Sequence, residues 1–398
     1  MNRNLITILK LIKSGLLSEK CELDGDIDWN YIYHVCYRQR ITCIVYQAIK
    51  DNGIRIPSEY LRLFQVQALN DVKTDRDQIR FLDHIFNVFE EKKIAFIPLK
   101  GSFVKYLYPR TEFRQMADAD VYIDFDKYDQ LKPVMEQLGF IYIGNNDYHF
   151  EWKKDELKIE YHKALLSSSY GLSDTFDACA KAALSRNCSG SRCDLDINDH
   201  LLYSVAHLAK HCITGSITIR NLTDIYYLKG IKDIDYNYLE KSLAETGLTR
   251  FYEVVCNALD EWFSGSTFSE ETESLFNRIL AVSKEATERK FYSAAVFQEN
   301  AGRKKISVWH RVKYCLGMLF PPYKRMAGHY NVLYKAPVLL PVFYIWRPLD
   351  KLFRSPKSIR RFIKMNVRDS ETTMYQYMVD MNRLGLETIV SNYENNHR

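Results

Sequence analysis

The sequence predicts an α+β protein: a small mixed sheet with flanking helices, embedded between N-terminal and C-terminal helical regions. Residues 1–90 and about 195–300 repeat apolar side chains at helical spacing. Between them, "IAFIPLK", "ADADVYID", "FIYIG", "YHFEW" and "ELKIEYHK" are short apolar or alternating runs bounded by turn residues, as strands are. At 398 residues, 46% hydrophobic and 26% charged, the chain can bury a large core and should divide into two or three domains. The expected division is 1–90 as an N-terminal helical region, 91–165 as the mixed core, 166–302 as a helical domain and 303–398 as a basic, aromatic, proline-containing tail.

In chain order, "MNRNLITILKLIKSGLLSEK" places Leu5, Ile8, Leu9, Ile12 and Leu16 on one helical face. Lys10 and Lys13 interrupt what a signal peptide would need as an apolar core, so this is expected to be an amphipathic packing helix. Leu63, Val66, Leu69, Ile79, Leu82 and Phe86 predict one or two long amphipathic helices with those residues inward. "IAFIPLK" is a buried strand ended by Pro98 and Gly101, and "ADADVYID" is a second strand. "KYDQLKPVMEQLGF" is a helix that stops at Gly139, and the two strands after "FIYIG" are joined by a "KKDE" turn. "DHLLYSVAHLAKHCI" and "NLTDIYYLKGI" return to helix, and in the tail "VWHRVKYCLGMLF" is a basic amphipathic helix. The longest apolar run there, 338–346, contains Pro341 and is far short of the roughly 20 residues of a bilayer span, so no transmembrane segment is expected.

Nine cysteines, an odd count with no Cys-x-x-Cys, argue against a disulfide framework or a structural zinc site and for a reducing cytoplasm. Charge is uneven: residues 303–364 hold fifteen Lys or Arg and one acid, so this stretch carries +14 in a chain whose total is +5. Such a basic stretch suits a polyanionic partner: a nucleic acid, an anionic membrane surface at the inner face, or the protein's own acidic body.

The chemistry-bearing residues cluster in the mixed core. Side chains alternate along a strand, so Asp118 and Asp120 stand side by side, and a divalent cation is the simplest neutraliser of two such carboxylates. A strand end in water is the plain alternative. Gly101 lets the backbone approach a ligand, and Ser102 with the following amides offers donors where phosphate binds well, although an ordinary strand-to-helix turn needs the same residues. If Ile159 and Tyr161 face the core, Lys158, Glu160 and His162 share the other face, and a neighbouring strand would bring Glu160 to the aspartates. Three carboxylates around two ions form a two-metal phosphoryl-transfer site. Lys100 and Arg114 can counter phosphate charge. His207 and His211 lie one helical turn apart, as do Arg220 and Asp224, each pair being an accessory contact or a packing pair.

Gly-Ser at a helix start, Asp-x-Asp on the next strand and a later acid resemble the catalytic pattern of the polymerase-beta-like nucleotidyltransferase superfamily. More narrowly, "LKG", "YP", "R" and "DAD" in series, then "IEYHK" and "IRNLTDIYYL", resemble an uncharacterised bacterial nucleotidyltransferase family often found among polysaccharide-biosynthesis genes. The resemblance covers about 90–230. It implies a nucleotidyltransferase core and transfer of a nucleotide from an NTP to a hydroxyl or phosphate acceptor, with Mg²⁺ or Mn²⁺. It also implies that Gly101 and Ser102 hold the triphosphate, with Lys100 and Arg114 beside it. Asp118, Asp120 and Glu160 would then hold metal, and Glu160 could take the acceptor's proton. The acceptor is left open among sugar, sugar phosphate, RNA and protein; a catalytically silent nucleotide- or partner-binding protein and a transferase acting on tRNA are the alternatives. Fifteen residues separate Ser102 from Asp118, longer than is usual in the superfamily but a habit of the narrower family, and Ala119 replaces a larger apolar residue.

Overall fold

The computed structural model describes residues 2–280, apart from 125–127, 146–147, 168–169, 187, 215–216 and 266, and beyond them 320, 323, 326, 330, 332–354 and 379–397. Asn2 caps helix α1 (Arg3–Leu17) by accepting from the Asn4 amide, and the five apolar residues expected inward are all buried. Helices α2 (Trp29–Gln39) and α3 (Thr42–Asp51) pack beside it, followed by α4 (Ser58–Lys92), a single helix of 35 residues.

The inward face of α4 matches the expected one over its second half, where Leu82 is buried and Phe86 packs on the core, and differs over its first. Leu63, Val66 and Leu69 are exposed, and the buried stripe is Phe64, Ala68, Asp71, Asp75, Gln78, Leu82, Ile85 and Phe89. In the first half, counting apolar residues picks the wrong face because the inward stripe turns polar at Asp71, Asp75 and Gln78. Those polar side chains hold the loop that enters the site, as described below.

Seven strands form one mixed sheet: β1 (Phe96–Leu99), β2 (Ala119–Ile123), β3 (Ile141–Asn145), β4 (His149–Lys154), β5 (Leu157–His162), β6 (Cys188–Ser189) and β7 (Arg192–Cys193), in the order β3-β4-β5-β2-β1-β7-β6. The last two strands come from outside the 91–165 block expected to hold the sheet. Their hairpin is closed by a disulfide between Cys188 and Cys193, a local staple that composition did not signal; Cys21, Cys36, Cys43, Cys179, Cys212 and Cys256 are free. Pro98 is tolerated in β1 because the strand pairs with β7 only at Phe96, whose amide donates to Ser191; Pro98 comes two residues later on the same side, where β7 has ended. Ala119, Val121, Ile123, Ile159 and Tyr161 enter one apolar cluster with α4 and α6 (Tyr128–Gln137). Ile97, Leu99 and Tyr122 enter another with the helices on the opposite face. These helices are α7 (Ser173–Arg186), α8 (Ile197–Thr214), α9 (Ile219–Lys229), α10 (Tyr236–Thr246), α11 (Thr249–Ser264) and α12 (Glu270–Ile279).

The expected tail helix "VWHRVKYCLGMLF" lies outside the described residues. Further on, Leu340, Phe343 and Tyr344 of the helix Leu340–Arg354 pack on Met326 and Leu333. Among the described residues, no helix is long and apolar enough to cross a membrane.

Between β1 and β2 the chain makes α5 (Gly101–Val104) and two 3-10 turns, and buried polar contacts pin it. Asp75 pairs with the fully buried Lys105 and accepts from Thr111 at 2.6 Å. Gln115 donates to the Asp71 carbonyl at 3.0 Å, and Gln78 and Arg40 both donate to the Met116 carbonyl at 3.2 Å. Burial lowers the Lys105 ammonium below its ordinary range even with Asp75 beside it, so loss of the partner strands a costly charge. Asp75→Ala should therefore cost about 3–5 kcal/mol in urea denaturation, against about 1 kcal/mol or less for the exposed pair partner Asp77→Ala. Equal effects would show that the buried pair does not anchor the loop.

Candidate active site

The site begins where β1 turns into α5. Lys100 has φ 47° and ψ −125°, a backbone conformation that favours glycine, and such strain persists only where surrounding contacts impose it. Here its ammonium is fixed 2.7 Å from Asp120 Oδ1. Gly101 is required by close approach: a Cβ there would lie 2.7 Å from Met116 Cγ and 3.3 Å from an Arg114 nitrogen. Gly101 lines the cavity, whereas Ser102 is buried behind it with no hydrogen-bond partner for Oγ.

The carboxylates converge through strand register. Strands β2 and β5 run parallel with Asp120 opposite Glu160, and β4 lies antiparallel to β5 with Glu151 opposite Glu160 and His149 opposite His162. His162 Nε2 lies 2.8 Å from Asp120 Oδ1, so both His162 and Lys100 engage the same carboxylate oxygen. Lys158 donates to Glu160 at 2.7 Å and approaches Glu151 at 3.2 Å and Asp118 at 3.9 Å. Burial disfavours the charge on Asp120, yet Lys100 and His162 hold it well below the usual carboxylate range. Asp118 has the opposite fate: burial first, then Asp120 and Glu160, push it up to about 7 against the pull of Lys100 and Lys158. No described side chain donates a hydrogen bond to Asp118. A carboxylate left short of positive charge beside two others fits a divalent cation, which would supply what the lysines do not.

These groups open on a cavity of about 320 Å³, whose other wall comes from α8 and α9. Ser204, His207, Lys210 and His211 contribute from α8, and Thr218, Arg220, Asn221 and Asp224 from the start of α9, which has a Thr218/Asn221 capping box. His207 and His211 are 3.1 Å apart between Nε2 atoms; burial, then Lys100 for His207 and Lys210 for His211, depress both, His211 to about 3. Arg114 lines the cavity but spends its fork on Asp224, with bonds of 2.6 and 2.7 Å, and Tyr108 donates to Asp224 at 2.7 Å. Arg220 does not pair with Asp224 one turn on; it donates to the Gln115 carbonyl, and its Nε has no partner. Burial, then Arg114 and Arg40, bring the Arg220 guanidinium down to about 9, the mark of a positively charged corner.

His149, Glu151, Tyr148 and Lys210 were not singled out from sequence. His149 and Glu151 were within reach: in the hairpin "YHFEWKKDELKIEYHK" the alternation that puts Lys158, Glu160 and His162 on one face puts them there too. Tyr148 and Lys210, joined at 3.0 Å, carried no local signal because the contact joins a loop to α8.

A mixed sheet with a strand-turn-helix on one side of the cavity and carboxylates on adjacent strands defines a nucleotidyltransferase fold. The family model for uncharacterised nucleotidyltransferases matches residues 25–264, and the chain belongs to that family. Membership implies an NTP as substrate and leaves the acceptor undefined. No curated protein and no solved structure matches the chain.

The Asp118 environment has a signed consequence for stability. A carboxyl raised from 3.8 to about 7 binds more protons folded than unfolded, so its contribution to stability falls as pH rises through that window. In protein treated with chelator, Asp118→Asn should gain melting temperature relative to the parent, with the difference growing from pH 4 to pH 7. A difference that stays flat across the window would refute the assignment.

Proposed function

We propose that this protein moves an NMP group from an NTP to a hydroxyl or phosphate acceptor, with Asp118, Asp120 and Glu160 as the metal-holding carboxylates. The observation that carries this is the parallel register of β2 and β5, which sets Asp120 beside Glu160 on the wall facing the Gly101 turn. Mg²⁺ or Mn²⁺, when bound, would stabilise the entering and leaving oxygens. The Gly101 backbone, though buried, lines the cavity where the phosphates would lie, and Lys100 and Arg220 supply positive charge to the same cavity. Arg114 acts indirectly, holding α9 and the 115–117 segment in place through Asp224. The acceptor oxygen attacks the α-phosphorus; its bond to phosphorus forms as the bond to the β-phosphate oxygen breaks, pyrophosphate leaves, and Glu160 is placed to receive the acceptor's proton. The resemblance to a family found among polysaccharide genes favours a sugar or sugar phosphate as acceptor.

Asp118→Asn and Asp120→Asn should each abolish transfer from α-labelled NTPs offered with sugars, sugar phosphates, RNA and the protein itself, with circular dichroism unchanged. Full transfer by both would sink the proposal, and nucleotide binding by the parent without any pyrophosphate release would favour a catalytically silent protein.

The tail supports a peripheral membrane contact. Val338, Val342, Ile345 and Leu349 follow one another at helical spacing and are all exposed, Ile345 at 68% and the neighbouring Trp346 at 54%, within the stretch that carries +14. An in-plane helix with basic neighbours binds anionic bilayers in this way. Ile345→Glu with Trp346→Glu should cut co-sedimentation with phosphatidylserine vesicles several-fold and leave transfer to a soluble acceptor unchanged. Undiminished sedimentation, or equal binding to neutral vesicles, would refute it.

A further inference from the structure

The cavity carries a nitrogen-bearing donor set that the carboxylates alone do not explain. Outside Asp118 and Asp120, ligand atoms of His149, Glu160 and His162 all lie within 4.8 Å of one another, on side chains that are buried or nearly so. His149 Nε2 lies 3.0 Å from Glu151 Oε1. Glu151 holds the ring through Nε2 and turns Nδ1 toward Glu160, 3.6 Å from its Oε2. The outer Glu151 is what a metal-binding histidine has behind it: a carboxylate that fixes tautomer and ring orientation. His162 Nε2 is 3.8 Å from the same Glu160 oxygen and is now engaged by Asp120, while its Nδ1 is buried without a partner, so no second hydrogen bond locks that ring in one tautomer.

We infer that His149, Glu160 and His162 form a mixed nitrogen and oxygen site for a borderline divalent transition ion of the Zn²⁺ or Co²⁺ class, bound in preference to Mg²⁺. Imidazole nitrogens suit such ions, whereas Mg²⁺ prefers oxygen ligands and keeps its waters. The use of that ion in catalysis rests on the transferase reading above; its binding does not.

The test is calorimetry on the metal-stripped full chain without nucleotide, using Co²⁺ and Mg²⁺ as probes, with the visible absorption of bound Co²⁺ recorded in parallel. Co²⁺ should bind at least about ten-fold more tightly than Mg²⁺. Glu151→Gln should weaken Co²⁺ by about 10–100-fold, and His149→Ala at least as far with a changed Co²⁺ spectrum. Parent-like Co²⁺ affinity in both variants, or equal affinity for the two ions, overturns the inference. Parent-like Co²⁺ affinity of His149→Ala, in a chain whose NTP transfer is lost on Asp118→Asn, overturns this inference and leaves the transferase reading standing. Co²⁺ bound as expected by a chain that transfers no NTP leaves this site standing and removes that reading.

Discussion

Leu99 and Asp120 are register partners across β1 and β2, so everything between them is a loop whose two ends are fixed one strand apart. The site depends on that closure. A flexible loop of this length would leave Gly101 and Asp118 free to part, and its ordering entropy must be offset by contacts. The contacts are buried and polar: Asp75 on Lys105 and Thr111, Asp224 on Arg114 and Tyr108, and the carbonyls of Gln115 and Met116 gripped by Arg114, Arg220, Arg40 and Gln78. Three separate helices, α2, α4 and α9, thus converge on the residues just before the aspartates. Asp75, Gln78 and Asp224 are buried and would be costly there without this loop, whereas Arg40, just past the end of α2, is exposed.

Much of this was legible in the sequence. Strand alternation alone separated Asp120 and Glu160 from Val121 and Ile159, and the two groups do lie on opposite faces of the sheet, in different apolar clusters or in the cavity. Gly139 ends α6 with φ +80° where the helix was expected to stop, and α8 and α9 fall on the two helical patterns read downstream. What failed was any inference that needed a partner from far along the chain. Arg114 read alone is a phosphate fork; 110 residues later stands the carboxylate that occupies it. Likewise the first half of α4 was given the wrong face because Asp71, Asp75 and Gln78 look like solvent residues until the loop they bind is in place.

The electrostatics follow from the same convergence. Four carboxylates, Asp118, Asp120, Glu151 and Glu160, share two lysines, and the sharing is unequal. Asp120 takes Lys100 and His162, Glu160 and Glu151 take Lys158, and Asp118 is left with a distant share. Burial works against the charge on Lys158, but Glu160, Asp118 and Glu151 keep its ammonium protonated far above the ordinary range. A divalent cation beside Asp118 would add the positive charge that these two lysines leave short there.

The two walls of the cavity differ in how the backbone builds them. One is strand, locked by register on both sides, and a change of one residue's position there would turn every side chain to the other face. The other is largely α8, whose cavity-facing positions 204, 207, 210 and 211 are separable side chains on a helix that needs only its apolar stripe to stay docked. The two walls therefore differ in their tolerance for change. One substitution on α8 alters one lining side chain, whereas one slip in a strand alters them all.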